Sequence, residues 1–502
     1  MKKIERSIII LILFISYLPV HSQAGLRPRG DVNSDWEVNI ADVNAVIDSI
    51  FSEAKYNGLY SYATDVNGDH EINIADVNMI IAAILGEELP PMPTYSGTLP
   101  VLYINTEGHR NIDSKEEYIH ADWWLDNMGI QGYHSIGSPT HPHGLLIKGR
   151  GNYSWTLTKK SFRIKLDEKQ PILGMNSNRH FCLLAHADDH YAKLKNTMGF
   201  ELSRRIGLAY TPEQKPVEVV LNGQYIGLYF VADKIRVGKD RVNIEEQQDN
   251  ETDPSIITGG WLLEIDNNED ENTLVFKETD TGHWYDRLWI TPHSPEVLSD
   301  EQREYIRNFI ETTNAAIYNP DKTSTDWENY IDLDSLVSFY LIGEIMDDIE
   351  YFDGSCFMHK HRGDSTKLIF GPVWDFGNSF MRRNFYPELT NYNYFLYQQP
   401  CYFYNNWIGE IAKYPKFKLA VIKRWREFYN SGFNDLNINQ FIEDFLNNIR
   451  GAIQYDSKRW SYIELDYEAA LFKHHLHSKI TWLESKWGIN ANIDIDGQEI
   501  HP

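Results

Sequence analysis

The chain has 502 residues and a formal net charge of −25, from 72 acidic against 47 basic side chains. So large an acidic excess argues against nucleic acid or an anionic membrane as partner. Its three cysteines, Cys182, Cys356 and Cys401, are too scattered for a disulfide framework or a thiolate metal site, and an aromatic content of 13 % is ample for a large core.

The first predicted element is a leader. Lys2, Lys3 and Arg6 precede an apolar run from Ile8 to Val20, and Ser22 and Ala24 follow at small-residue cleavage spacing. That order of charge, apolar run and small residues reads as a secretory signal peptide over residues 1–24, so the mature protein is expected to be secreted, extracellular or associated with the cell surface. No cysteine follows the run to take a lipid, and no second stretch is long enough to span a bilayer.

Next come two nearly identical twelve-residue strings, DVNSDWEVNIAD from Asp31 and DVNGDHEINIAD from Asp65. A calcium loop of this length supplies oxygens from positions 1, 3, 5, 7, 9 and 12. Those positions are Asp31, Asn33, Asp35, the Glu37 carbonyl, Asn39 and Asp42, then Asp65, Asn67, Asp69, the Glu71 carbonyl, Asn73 and Asp76. Each string runs into apolar residues at helical spacing, Val43, Val46, Ile47, Ile50 and Val77, Ile80, Ile81, Ile84, so two helices can bury their stripes on each other. Pro28, Arg29 and Gly30 before the first loop are poor helix material, which makes the unit loop-helix and not helix-loop-helix. Over residues 31–86 the chain resembles a dockerin. That resemblance implies calcium-dependent attachment to a cohesin or a cell-surface scaffold. Trp36 and His70 occupy the position where such loops usually hold glycine.

A proline-rich spacer over residues 87–99 separates this module from a domain expected over 100–490. Residues 100–267 read mainly as strands, with Asn222-Gly223 as a hairpin turn inside VEVVLNGQYIGLYFV. Residues 300–318, 332–346, 415–429, 438–452 and 466–486 read as helices. The expected fold class is α+β, with a ligand cleft between a strand-rich and a helix-rich half.

Within the strands, SFRIKL alternates Phe162, Ile164 and Leu166 with Ser161, Arg163 and Lys165, while Lys160 precedes it and Arg150 sits in the turn GRGN. Such cations suit phosphate oxygens; a solvated charged face is the plainer reading of this segment alone. In the helical half, Asp347, Asp348, Glu350 and Asp353 crowd the end of one helix, and Asp375 follows in GPVWDFG. One carboxylate as base and another on a divalent metal is a phosphotransfer arrangement.

Taken in order, IKGRGNYSW with KKSFRIKL, LLAHADDHYAKLKN, VEVVLNGQYIGLYFVADKI, GGWLLEID, EIMDDIEYFDGSCFMHK with GPVWDFG, and FKLAVIKRWREF resemble the spore coat protein H (CotH) family of atypical secreted protein kinases. The resemblance implies a two-lobed, kinase-like domain that takes ATP with Mg²⁺ or Mn²⁺ and phosphorylates hydroxyls of a protein substrate. It places Asp375 at the family's metal-binding Asp and Glu350 at the catalytic-base Asp, with Asp348 as the neighbouring alternative. Arg150, Lys160, Arg163 and Lys165 become candidates for the nucleotide phosphates, and Asp189 and Asp233 stand at family acidic positions. Because Glu350 carries one methylene more than the expected Asp, a pseudokinase or surface-adhesion protein is the alternative reading. A polysaccharide-active enzyme is suggested only by the dockerin-like context. No GxGxxG or GxxxxGK[ST] string is present, which excludes ordinary kinases and P-loop enzymes.

Overall fold

The computed structural model describes residues 30–33, 35, 37–51, 66, 73–87, 89, 95–267, 272–277, 287–381, 394–398, 406–431, 433, 435–460 and 463–489. The proposed leader, most of the second loop (Asp65, Asn67, Asp69 and Glu71), most of the spacer, Trp36, His70 and Cys401 lie outside them. The chain divides into two compact units, Met1–Ser96 with Gln454–Ser461, and Gly97–Ile453 with Tyr462–Pro502.

In the first unit, α1 (Ile40–Phe51) and α2 (Ile74–Ile84) follow the two loops. Their apolar stripes meet in a small core of Val43, Val46, Val77 and Ile80, which Val32 and Val66 complete from the loops. Asn73 caps α2 by accepting the Ala75 N–H, and Asp76 closes the box by accepting the Asn73 N–H.

The larger unit begins with β1 (Val101–Thr106), β2 (Ile119–Asp126), β3 (His143–Arg150), β4 (Ser161–Gln170), β5 (Asn178–Leu184), β6 (Gln214–Leu221) and β7 (Gln224–Asp233). All neighbours pair antiparallel except β1 and β6, whose parallel pairing closes the seven strands into a barrel in the order β1-β2-β3-β4-β5-β7-β6. The β6–β7 hairpin turns at Asn222-Gly223, with Leu221 opposite Gln224 and both turn residues at positive φ, as a two-residue turn of this kind demands.

Alternation explains why β7 reads as an unbroken apolar run. Tyr229 and Val231 point into the barrel core beside Trp123, Ile147, Ile164 and Phe181. Leu228, Phe230 and Ala232 point the other way into a second, larger core. That core is built on α3 (Leu194–Ile206) and on a five-stranded sheet of β8 (Trp261–Ile265), β9 (Leu274–Lys277), β10 (Arg287–Ser294), β11 (Cys356–Lys360) and β12 (Leu368–Phe370), in the order β12-β11-β8-β10-β9. Helices α4 (Asp300–Ile317), α5 (Leu333–Met346), α6 (Trp407–Ile411), α7 (Pro415–Asn430), α8 (Asp435–Arg459) and α9 (Leu465–Trp487) supply the rest. Every residue of α5 from Leu336 to Met346 is buried, so its sequence shows no amphipathic stripe.

The expected two-lobed, kinase-like fold is corrected by this architecture. The first seven strands close on themselves as a barrel, and the five-stranded sheet shares one core with the barrel's outward-facing β5 and β7 residues, so neither sheet forms a separate small lobe. β11 and β12 come from the half expected to be helical, yet β11 pairs with β8 from the strand-rich half. The halves of the sequence are therefore woven into one sheet-rich domain. Among the described residues no helix is long and apolar enough to cross a membrane.

Candidate active site

The cationic side of the site is set by strand register. On the outer face of the barrel, opposite the buried Ile147, Phe162 and Ile164, Lys148 of β3 pairs directly with Arg163 of β4, and Arg163 in turn pairs with Cys182 of β5. These three side chains line a cavity of about 350 Å³, together with Arg150, Lys234 and Lys115. Like charges directly opposite on a sheet repel. Accordingly Lys148 is held below the usual lysine pKa by burial and by Arg163, and Lys234 is lowered to about 8 by the same two causes in the same order. The Nε of Arg163 is buried with no hydrogen-bond partner. At the rim, Lys115 Nζ donates to Asn152 Oδ1 at 3.2 Å.

Trp374, Phe357 and Ile235 give the cavity an apolar wall. Arg150 lies over the Trp374 ring, 5.7 Å from its centroid, and its charge reaches Asp375 next in the chain. The cations thus adjoin the acidic side.

That acidic side is two loops zipped together. Asp347 caps α5 at φ +46°, and its carbonyl accepts the Phe380 N–H at 3.3 Å. Ser379 Oγ donates to Asp348 Oδ2 at 2.9 Å, and Asn378 Nδ2 donates to Glu350 Oε2 at 2.6 Å. Asp347 is also bound to Lys479 Nζ at 3.2 Å, which pairs with Glu344 at 2.5 Å, all three side chains fully buried. Asp375 sits at φ +55°, with Oδ1 accepting the Gly377 N–H at 3.2 Å.

Burial dominates the carboxyl pKa values. It raises Asp348 to about 8 against the opposing bond from Ser379, and raises Asp353 to about 6 with help from Glu350 and Asp266. Glu350 is raised by burial and then by the field of Asp375. Asp375 reaches solvent, yet the protein packed around it, followed by the charge of Asp188, raises it too. Carboxylates that raise one another in this way form a concentration of negative charge that a divalent cation relieves. Among the described residues no three His, Cys, Asp or Glu side chains are gathered into a metal cage. Mg²⁺ is ordinarily held by one or two carboxylates plus substrate phosphates, so a lone solvent-reaching carboxylate such as Asp375 fits that ion.

Of the residues singled out in the sequence, Arg150, Arg163, Glu350, Asp348 and Asp375 are brought together. Lys160 and Lys165 are not in the cavity lining. Lys160 Nζ donates to the Trp155 carbonyl at 2.5 Å, and Lys165 lies further along β4, opposite His180. Asp189 accepts the Tyr191 and Lys195 N–H groups, and Asp233 pairs with Arg241, so both are tied into local structure. Lys148 and Lys234 escaped the sequence reading. Lys148 was findable as the residue two before Arg150 on the same strand face, whereas Lys234 joins the group only through the pairing of β7 with β5.

In the first calcium loop the side chains bend inward. Asp42 Oδ1 accepts the Val32 and Asn33 N–H groups at 2.7 and 3.0 Å, and Oδ2 accepts that of Asn39 at 2.9 Å. Asp31, Asn33, Asp35 and Asn39 each accept a nearby loop N–H. The described part of the second loop repeats this, with Asp76 accepting Val66 and Asn73 at 2.7 and 3.0 Å. An all-oxygen donor set on a loop folded around buried Asp31 and Asp42 fits a hard cation such as Ca²⁺.

The profile of the Dockerin type I domain matches residues 29–85. That of the family described as CotH kinase protein matches residues 147–486. A comparison with curated proteins finds no match. The family match takes in more than half of the chain, from the middle of β3 to α9, and the chain belongs to the CotH kinase family.

Proposed function

We propose that the large domain is a protein kinase that transfers the γ-phosphate of ATP to hydroxyls of a protein substrate. The observation that carries this reading is the cavity in which Lys148, Arg150, Arg163 and Lys234 converge, with Asp375 next in the chain to the lining Trp374 and within the field of Arg150, and Glu350 within the field of Asp375. Five cations around one cavity with Glu116 as the single lining acid suit a polyphosphate, and the Trp374–Phe357–Ile235 wall suits a nucleobase.

In this reading the cations orient the phosphates, and Arg163 Nε, buried without a protein partner, is a spare donor beside them. Asp375 would hold the divalent metal, with Asn378 three residues on; when bound, Mg²⁺ or Mn²⁺ would neutralise charge on the phosphate oxygens. Glu350 is the general base. Its raised pKa brings it nearer the working pH, where a base is most effective. Asp348 is the positioning partner: its oxygens are taken by Ser379 and the Glu350 N–H. A test is calorimetry with ATP, with and without Mn²⁺, followed by labelled-phosphate transfer. No heat and no transfer from folded protein would refute the reading.

One observation favours the alternative, a pseudokinase or surface-binding protein. The 2.6 Å bond from Asn378 occupies one oxygen of Glu350. Nucleotide binding without transfer, unchanged in Glu350→Gln, would support it.

For the first unit, we propose Ca²⁺ in both loops and a cohesin or cell-surface scaffold as partner, on the strength of the dockerin match and the loop geometry. Export by a leader over residues 1–24 and action outside the cell, or at its surface, complete the proposal.

A further inference from the structure

The turn that carries Asp375 is held from within only by the Gly377 N–H on Asp375 Oδ1 and the Ser379 N–H on the Phe376 carbonyl. Asp375 adopts φ +55°, in the left-handed region that costs a residue with a Cβ some strain, so the surroundings must impose it. The chain supplies two grips, both from the start of α3. Asn196 Oδ1 accepts the Phe376 N–H at 2.8 Å, immediately after Asp375. Lys195 Nζ donates to the Gly377 carbonyl at 2.6 Å, two residues after it.

Both gripping side chains are themselves oriented. Asn196 Nδ2 meets His186 Nδ1 at 3.3 Å, and His186 Nε2 meets Gln214 Oε1 at 3.1 Å. Burial lowers His186 to about 4 and keeps its imidazole neutral. The neutral ring donates from Nε2 to Gln214 and accepts at Nδ1 from the Asn196 amide, which leaves Asn196 Oδ1 aimed at Phe376. Lys195 is 2 % exposed, its own N–H is accepted by Asp189 Oδ2 at 3.1 Å, and its ammonium lies over the Tyr191 ring. A third contact locks the pair of elements: a Cβ on Gly199 would stand 2.1 Å from the Phe376 ring, so only glycine lets α3 approach this closely.

We infer that Asn196 and Lys195 are positioning residues, which fix the Asp375 turn by holding its main chain from the barrel-side segment 186–196. The inference deepens the proposed kinase reading and rests on it for the catalytic consequence, while the positioning itself is a statement about the turn. The segment HADDHYAKLKN is thereby given a task, that of holding the main chain of the Asp375 turn through Lys195 and Asn196.

The test compares Asn196→Leu, which removes the acceptor at nearly constant size, with Asn196→Asp, which keeps an oxygen facing Phe376, in the full chain. A crystal structure of Asn196→Leu is expected to show Asp375 displaced by about 1 Å, a shift of the size that costs roughly 10²-fold in turnover. Turnover should fall accordingly, with ATP affinity without metal changed less than about twofold, and Asn196→Asp should restore both the turn and part of the turnover. If Asn196→Leu fails to fold, Lys195→Met carries the same expectation for Gly377. An unmoved turn in either variant overturns the inference, whether or not the wild type is active. Wild-type protein that binds no nucleotide refutes the kinase reading and leaves the crystallographic arm to decide the positioning claim.

Discussion

Lys148 and Arg163 face each other across β3 and β4 as a directly opposed pair of like charges on the outer wall of the barrel. Such a pair costs the free protein stability, of order 0.2–1 kcal/mol. An anion between them reverses the sign.

The first prediction follows. Replacing Arg163 by Gln relieves the repulsion, so the free protein should be as stable as wild type or slightly more so. The loss of a charge-assisted bond to phosphate, about 1.5–3 kcal/mol, should weaken ATP binding roughly 10- to 100-fold. Calorimetry and thermal melts of the same samples check both signs. Weaker stability with unchanged affinity would make Arg163 a structural residue.

Asp348 sets a pH dependence of stability. Its folded pKa is raised from 3.8 to about 8 by burial, so the folded state holds a proton that the unfolded state has already lost above pH 4. Stability from this group is full below pH 4 and is lost as pH rises toward 8, by up to about 5 kcal/mol. Denaturant unfolding at pH 5 and pH 8 should show that loss, and Asp348→Asn should flatten it. Equal slopes in both proteins would remove Asp348 as the cause.

Glu350→Gln keeps a group that can accept the Asn378 bond but cannot take a proton. Turnover should drop about 10²- to 10⁴-fold while nucleotide affinity is preserved. In the wild type the rate should rise with pH through the raised Glu350 pKa, and this limb should vanish in the variant.

Calcium removal should act on one unit only. Chelation is expected to open residues 31–86 to hydrogen exchange and leave the barrel domain protected. Asp42→Ala, which strips acceptors from Val32, Asn33 and Asn39, should do the same at saturating Ca²⁺. Concerted opening of both units would contradict their independence.

Some of this was legible because it is periodic. Two loops with the same ligand pattern, the helical stripes of α4, α7 and α9, and the Asn222-Gly223 turn all follow from local spacing. Closure of the barrel was not legible, since the parallel β1–β6 pair joins residues more than a hundred positions apart and leaves no local mark. The buried run of α5 and the two-faced β7 look alike as apolar strings, and only their packing separates them. Around the proposed site, Arg150, Arg163, Glu350 and Asp375 were singled out by charge and motif, and the fold places them in adjoining segments. Lys234 and Asn196 were not singled out, because each is brought there by an element distant in sequence. Lys160 and Lys165 neighbour Arg163 along the chain, and neither lines the cavity.

The central claim is that the Lys148–Arg163 wall and Asp375 form one nucleotide site. Calorimetric titration of ATP into the full chain, with and without Mn²⁺, tests it most directly when run beside Arg163→Gln and Asp375→Ala. One ATP should bind per chain, more tightly with Mn²⁺; Arg163→Gln should weaken both titrations, and Asp375→Ala should abolish only the Mn²⁺ enhancement. No binding to folded wild-type protein, or binding indifferent to both substitutions, would contradict the account.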